Sequence, residues 1–531
     1  MIRSISIFFV AVLVLSACAA TPAGQPQGSS AAATPLSLVV PHLGEPKSLN
    51  PNWQADPGSY YPMNQIYGHL VIMDWGVTRG TAAYPDLAQS WDTSADGKTY
   101  TFKLRQNVKW HDGKPFSSAD VVYTFQTIID KKYPLAQYLA GATLSAPDAN
   151  TVVIKLDKAN TAFVPLLAQT SNWYGAILPK HIYENTDWAT NPANSNPVGT
   201  GPFQFVSWDR GSQITLKANP DYYQGAPKLT QLVLQFVSDP QVAMAGFQSG
   251  QYNYVTSDFL PNFAQIKQLQ TAGGDTQIIA TDQIYDDCVM FNLRNPILAD
   301  LKVRQALSMA IDRDAINQQA FFGLFAPDYN AGIPALADYL NTSVTFPKVD
   351  LTKAKALLDQ AGYPVKADGT RFKLRITNYP LPKEKAIAEI LVQQLKAVQI
   401  DATWTQYDAP TWLAKANSGD YDLTTYFVRY GPDPAAYGEH FGTKQPRNFM
   451  AYSNTQVDQW LEQAVATADK NTRKDLYYKV QAQLAQDVPY LPLLVTKTYS
   501  LVRKGWSGFS YSEDGFNKSM SWFGYYAVHK N

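Results

Sequence analysis

From Leu36 onward the chain alternates two kinds of apolar periodicity, and this alternation limits its possible folds more than any other feature of the sequence. Strand-like stretches run at Leu36 to Val40, Thr99 to Leu104, Thr151 to Leu156, Ile214 to Lys217, Leu229 to Val237, Phe372 to Thr377 and Asp401 to Gln406. Several of them alternate apolar and polar residues, as a half-buried strand does. Between them lie Ser118 to Asp130, Val303 to Ile311, Leu351 to Ala361, Lys383 to Val398, Thr455 to Ala468 and Thr472 to Gln486, with apolar residues at helical spacing. Ser118 is the expected N-cap of the first helix and Asp350 of the third, and Gly362 is the expected stop of the third. Interleaved strands and helices make an α/β protein. A body this long exceeds one core and implies two or three structural domains.

The N-terminus has a different character. Arg3 precedes an apolar run from Ile5 to Leu15, and Leu15-Ser16-Ala17-Cys18 follows. A positive residue, an apolar core and small residues before the cut describe a secretory signal. Leu three places before Cys, with Ser and Ala between, resembles a bacterial lipobox, which implies cleavage before Cys18 and lipid on that residue. Several acyl chains anchor where one binds only reversibly. Residues 18–35 combine this Cys with Ala, Gly, Ser, Pro, Thr and Gln and carry no charge, the composition of a flexible tether. No apolar run of about 18 residues recurs, so no second membrane span is expected. With Cys18 lipidated, Cys288 stands alone in Cys288-Val289-Met290-Phe291, a strand-like setting for a buried, inert thiol. Lys plus Arg number 44 and Asp plus Glu number 44, a balance that points away from nucleic acid as partner.

A long motif lies between Leu87 and Phe125. It runs Leu87-Ala88-Gln89-Ser90-Trp91, then Asp96-Gly97-Lys98-Thr99-Tyr100-Thr101-Phe102, then Trp110-His111-Asp112-Gly113-Lys114-Pro115-Phe116-Ser117-Ser118-Ala119-Asp120-Val121-Val122. Asp96-Gly97 and Asp112-Gly113 are turns, and the segment after Ser117 starts a helix with Val121, Val122 and Phe125 on its apolar face. The motif closely resembles the signature of extracellular solute-binding proteins of the oligopeptide, dipeptide and nickel group (family 5), the lipoprotein capture subunits of ABC importers. Gly199-Thr200-Gly201-Pro202-Phe203, Asn219-Pro220-Asp221-Tyr222-Tyr223, Phe291-Asn292-Leu293, Val303 to Arg313, Ala354 to Tyr363 and Arg473 to Pro492 resemble further family segments. Gly250-Gln251-Tyr252-Asn253 departs from the family in lacking an acid, and Gln399-Ile400 in lacking Gly.

The resemblance implies a two-lobed periplasmic-binding-protein-like fold with a hinge and an extra domain inserted in the first lobe. On that reading residues 1–17 are the signal peptide and 18–35 the lipidated Cys and tether. Residues 36–74, 196–284 and 491–531 form lobe one, 75–195 the inserted domain and 285–490 lobe two. The implied function is that of a lipid-anchored, extracytoplasmic monomer at the cell surface or in the periplasm. It closes its lobes over an oligopeptide and delivers it to ABC permease subunits.

Catalysis has little support. The six histidines are scattered, and no zinc-ligand spacing, nucleophile elbow, phosphate loop or dinucleotide fingerprint occurs. The expectation is no enzyme, no cofactor and no metal. A tethered hydrolase and a signalling receptor that kept the fold are the other function classes. A hydrolase would turn its ligand over, and a transporter subunit would be encoded beside permeases and ATPases.

The resemblance also points to a site. Tyr426-Phe427-Val428-Arg429-Tyr430-Gly431-Pro432-Asp433-Pro434 matches the stretch in which peptide-binding relatives carry an Asp that pairs with the peptide ammonium, and Asp433 falls in that position. Its bland alternative is a turn-capping Asp before Pro. Gly431 offers unhindered backbone, Tyr430 stands where relatives commonly show Trp, and Arg429 either pairs with an acid or reaches a ligand carboxylate. The Arg that fixes the ligand carboxylate in dipeptide binders is missing from Asn378 to Lys385, which argues against a strict dipeptide binder. Longer peptides paired to the backbone of Val39-Val40-Pro41 stay open. So do oligosaccharides stacked on Trp53, Tyr67, Trp75, Trp173, Trp404 or Trp412. Tyr (32), Phe (24) and Trp (12) are abundant enough to line a large wet cleft as well as a core.

Overall fold

The computed structural model describes residues 36–531 apart from 54–57, 74–82, 171–173, 257–258, 260–262, 273, 333, 430–432, 510–524 and 526. Cys18 and the whole of 1–35, Trp75, Trp173, Tyr430 and Gly431 lie outside the described residues.

Three sheets carry the body. The first has four strands in the order Ser37–His42, Gln231–Phe236, Gln213–Ala218 and Phe203–Asp209; the first pair is parallel and the others antiparallel. The second is antiparallel and built from one stretch of chain: Ala88–Thr93, Thr99–Leu104, Thr151–Lys155 and Thr143–Asp148. The third has seven strands. Tyr490–Arg503 and Thr276–Phe291 pair antiparallel along most of their length. Tyr254–Val255 and Ala326–Pro327 flank Tyr490–Arg503, while Leu423–Arg429, Lys373–Asn378 and Asp401–Gln406 continue beyond Thr276–Phe291. The register of the long pair breaks between Asp282 and Asp286 and again at Asp287/Cys288.

The motif segments form these elements for local reasons. Gly97 turns at φ +66° between the first two strands of the antiparallel sheet, with Ser94 Oγ donating to Asp96 Oδ1 at 2.5 Å. The helix Ser118–Lys131 is capped one residue earlier than expected. Ser117 is its N-cap, and the Ser117 N–H donates to the Asp120 carboxylate at 2.9 Å. Ser118 instead points its hydroxyl at Asp148 O, 2.6 Å away, because an acid at N3 can return the bond to the N-cap amide. Asp350 caps Leu351–Gln360 through the Lys353 N–H at 3.0 Å.

His111 joins the motif to the Gly199-Thr200-Gly201 segment. One ring nitrogen accepts from the Gly199 N–H at 3.2 Å and the other meets Gly201 O at 3.0 Å. Burial holds its pKa down, to about 4, against the bond to Gly201. The imidazole is therefore neutral, Nδ1 accepts and Nε2 donates. Both glycines are required by close approach: a Cβ at Gly199 would stand 1.9 Å from Ile66 O, and one at Gly201 2.4 Å from Gln65 O.

Candidate functional site

The residues expected to meet ligand are distributed over two sheets. Val40 lies in Ser37–His42, which is an edge strand paired only to Gln231–Phe236 among the described strands. Its side chain is buried at 1% exposure. Val40 can therefore offer a ligand its backbone and not its side chain. Pro41 in the same strand suits an edge, where a missing N–H breaks no ladder. Trp404 stands in the far edge strand, Asp401–Gln406, and its indole N–H donates to Asn378 Oδ1 at 2.7 Å. Arg429 ends the strand Leu423–Arg429, opposite Tyr285.

Asp433 follows in the turn after that strand. Its side chain accepts from the Ala435 N–H at 2.8 Å, and Arg473 grips both carboxylate oxygens at 2.8 and 2.5 Å. Both partners are buried, with side chains 7% and 8% exposed. A two-pronged guanidinium–carboxylate pair of this kind is among the strongest charge-assisted contacts. Asp433 thus caps the segment that follows it and balances an internal cation.

The sequence reading missed the charges around Asp286 and Asp287. Successive strand residues face opposite sides of a sheet, and these two have different partners. Asp287 meets the ammonium of Lys383, which also stands 3.8 Å from Glu384. Lys383 lies over the Phe427 ring, 5.7 Å from its centroid. Asp286 faces Asp328, with Arg313 in electrostatic reach of Asp328. All four carboxyls are buried. Burial, and then Asp328, push the Asp286 carboxyl well above the usual range. Burial, and then Asp287, push up Glu384, against the pull of Lys383. Burial raises Asp328 to about 6. Each cluster therefore sets two buried acids against one cation.

Beside Lys383 an aromatic wall is packed from Tyr379, Trp412, Tyr426, Phe427 and Phe449. Trp412 and Tyr426 stack at 4.9 Å, and Tyr426 and Phe427 at 4.4 Å. Trp412 is fully interior and donates its N–H to Thr424 Oγ1 at 3.0 Å, so it is core. Tyr379 and Phe427 are half-buried. Arg473 had one sequence signal: it shares a helical face with Leu476, Tyr477 and Val480, and a cation on an apolar face demands a buried partner.

The family described as bacterial extracellular solute-binding proteins, family 5 (middle), matches residues 82–449. The oligopeptide-binding protein AppA of Bacillus subtilis is 27% identical over 98% of this chain and 98% of its own. The dipeptide-binding protein of Escherichia coli is 27% identical over 89% of this chain and 92% of its own. The solved structure of the Bacillus subtilis AppA in complex with a nonapeptide superposes with a TM-score of 0.73 at 25% identity, covering 94% of this chain and all of that one.

Proposed function

The chain belongs to the bacterial extracellular solute-binding proteins of family 5, and from that premise we propose that it captures oligopeptides outside the cytoplasm and delivers them to an ABC permease. Its fold is the mixed α/β, two-lobed one of that family, and its relatives are binding proteins rather than enzymes. The observation that carries the peptide reading is the end-to-end match to an oligopeptide-binding relative whose fold accommodates a nonapeptide. The edge position of Ser37–His42 among the described strands supports it, because an extended peptide can add to a sheet edge by main-chain hydrogen bonds. Arg429, at the end of the strand Leu423–Arg429, and Tyr430 and Gly431 next in the sequence are the proposed ligand residues.

Capture proceeds by closure: a ligand that touches both lobes binds the closed state better and shifts the population toward it. The long pair Thr276–Phe291 and Tyr490–Arg503, with its register break, is the proposed hinge. Lipid on Cys18 and the tether of 18–35 keep the protein at the membrane.

Native mass spectrometry of protein purified from its own cells tests the ligand class, followed by calorimetry with free-amino peptides, N-acetylated peptides and oligosaccharides. The expected result is a co-purified peptide series and micromolar or tighter peptide binding. Co-purified sugar with no peptide affinity would overturn the peptide reading.

A further inference from the structure

The helix Thr455–Ala466 ends against the loop that follows the strand Thr151–Lys155, and the contact is made by named groups. Thr161 donates its backbone N–H to Val465 O at 2.9 Å and its hydroxyl to the same oxygen at 3.1 Å. One residue back, Ala464 O accepts from Arg473 Nε at 3.0 Å. These carbonyls belong to the last turn, which has no intrahelical donors and carries the negative end of the helix dipole. Arg473 also donates to both carboxylate oxygens of Asp433, which follows Leu423–Arg429 in the chain, and to the Tyr339 hydroxyl at 3.3 Å. On the other side, the Tyr100 hydroxyl bonds Asn160 O and Gly97 O, which fixes the Thr161 loop to the antiparallel sheet. An unbroken chain of contacts therefore runs from Asp433 through Arg473 and the helix end to Thr161.

A cleft of about 630 Å³ lies alongside, with Lys158 and Asn160 on one wall and Glu439 and Val465 on the other. Hydrogen bonds at the border of a cleft are where local opening, at the low end of a protein's stability scale, is found.

We propose that the contact of Thr161 with Val465 is a latch that secures the closed state, and that Arg473 is the positioning residue that sets it through Asp433. The proposal rests on capture by closure and adds where closure is secured. A displacement of Asp433 on ligand binding is carried by the ion pair to the helix end. Asp433 and the latch are thus two ends of one two-state element, which is the physical requirement for coupling.

Hydrogen exchange on the full chain, without ligand, tests this. In Thr161→Val, which disturbs no buried charge, the amides of 157–163 should exchange about fivefold faster, the factor that a typical net hydrogen bond is worth. In Arg473→Lys the same distant segment should also exchange faster, with protection across 455–463 kept. A merely structural Arg473 would loosen 433–436 and 464–473 and leave 157–163 as in wild type, and that result in a folded variant overturns the coupling. Should Arg473→Lys fail to fold, Thr161→Val decides alone: wild-type exchange in 157–163 with an unchanged radius of gyration refutes the latch. Because no ligand is added, such a failure leaves closure over ligand standing. Absence of compaction with a bound peptide would instead sink closure itself.

Discussion

Replacing Asp433 with asparagine removes the partner of a guanidinium whose side chain is 8% exposed. Arginine stays charged, and the asparagine amide can accept from only one of the two nitrogens that now grip the carboxylate. Breaking a buried pair by deleting one member costs about 3–5 kcal/mol. Two features pull the value toward the lower end. Arg473 keeps its bond to Ala464 O, and its guanidinium lies 5.5 and 5.4 Å from the ring centroids of Tyr339 and Tyr477, contacts worth about 0.5–2 kcal/mol. The expected loss is about 3 kcal/mol. A 150–250-residue domain moves by about 2–4 °C per kcal/mol, and the sensitivity falls with size. For this larger body the melting temperature should drop by about 3–6 °C, measured by calorimetry on wild type and variant. The double variant Asp433→Leu with Arg473→Met should lie closer to wild type than either single change, since an apolar pair replaces the ion pair without an orphaned charge. An unchanged melting temperature for Asp433→Asn would refute the reasoning. It would do so most directly if affinity for free-amino peptides fell while that for N-acetylated peptides held, for the carboxylate would then belong to the ligand.

Glu384→Gln should flatten the pH dependence of stability. The folded Glu384 carboxyl is raised, so its contribution is complete below the unfolded value of about 4.3 and is lost as pH rises through the folded pKa. The variant should match or exceed wild type in melting temperature at pH 8. Asp328 acts in the same direction, its contribution falling from the unfolded value of about 3.9 and gone once pH passes the folded value of about 6. His111 acts in the opposite direction: with a folded pKa of about 4, its contribution is present above about 6.5 and lost as pH falls toward 4. His111→Ala should therefore cost about 1–3 kcal/mol at pH 7 and less at pH 4.5, read from melting curves at both. Cys18→Ala should abolish metabolic fatty-acid labelling and free the protein from the membrane fraction; a labelled variant would overturn the anchor.

The sequence displayed much of the architecture because the signals that specify it are local. Asp401–Gln406 begins and ends where its alternation does, and Leu351–Gln360 begins after its Asp cap. The single displaced cap, Ser117 for Ser118, turned on which of two adjacent serines had an acid three places on. The site was less legible because its partners are distant: Asp433 and Arg473 are 40 residues apart, and Asp287 and Lys383 are 96 apart. Periodicity reports on neighbours three or four places away and carries no information about such pairs.

The same distance explains why Asp433 reads as a ligand group from sequence and as an internal partner in the structure. A carboxylate among apolar residues leaves water only if something meets it, and a linear sequence does not say whether that something is solute or protein. Asp286 and Asp287 sharpen the point. Strand alternation sends them to opposite faces, where each finds a second acid and one cation within reach. Two buried acids against one cation leave an excess of negative charge, and burial with that excess raises the Asp286 and Glu384 carboxyls. They stand where the long strand pair loses register, between Asp282 and Asp286, which is where a hinge would bend. Charge buried at such a point is stable only while its partners stay in place, so a hinge there would have a preferred geometry.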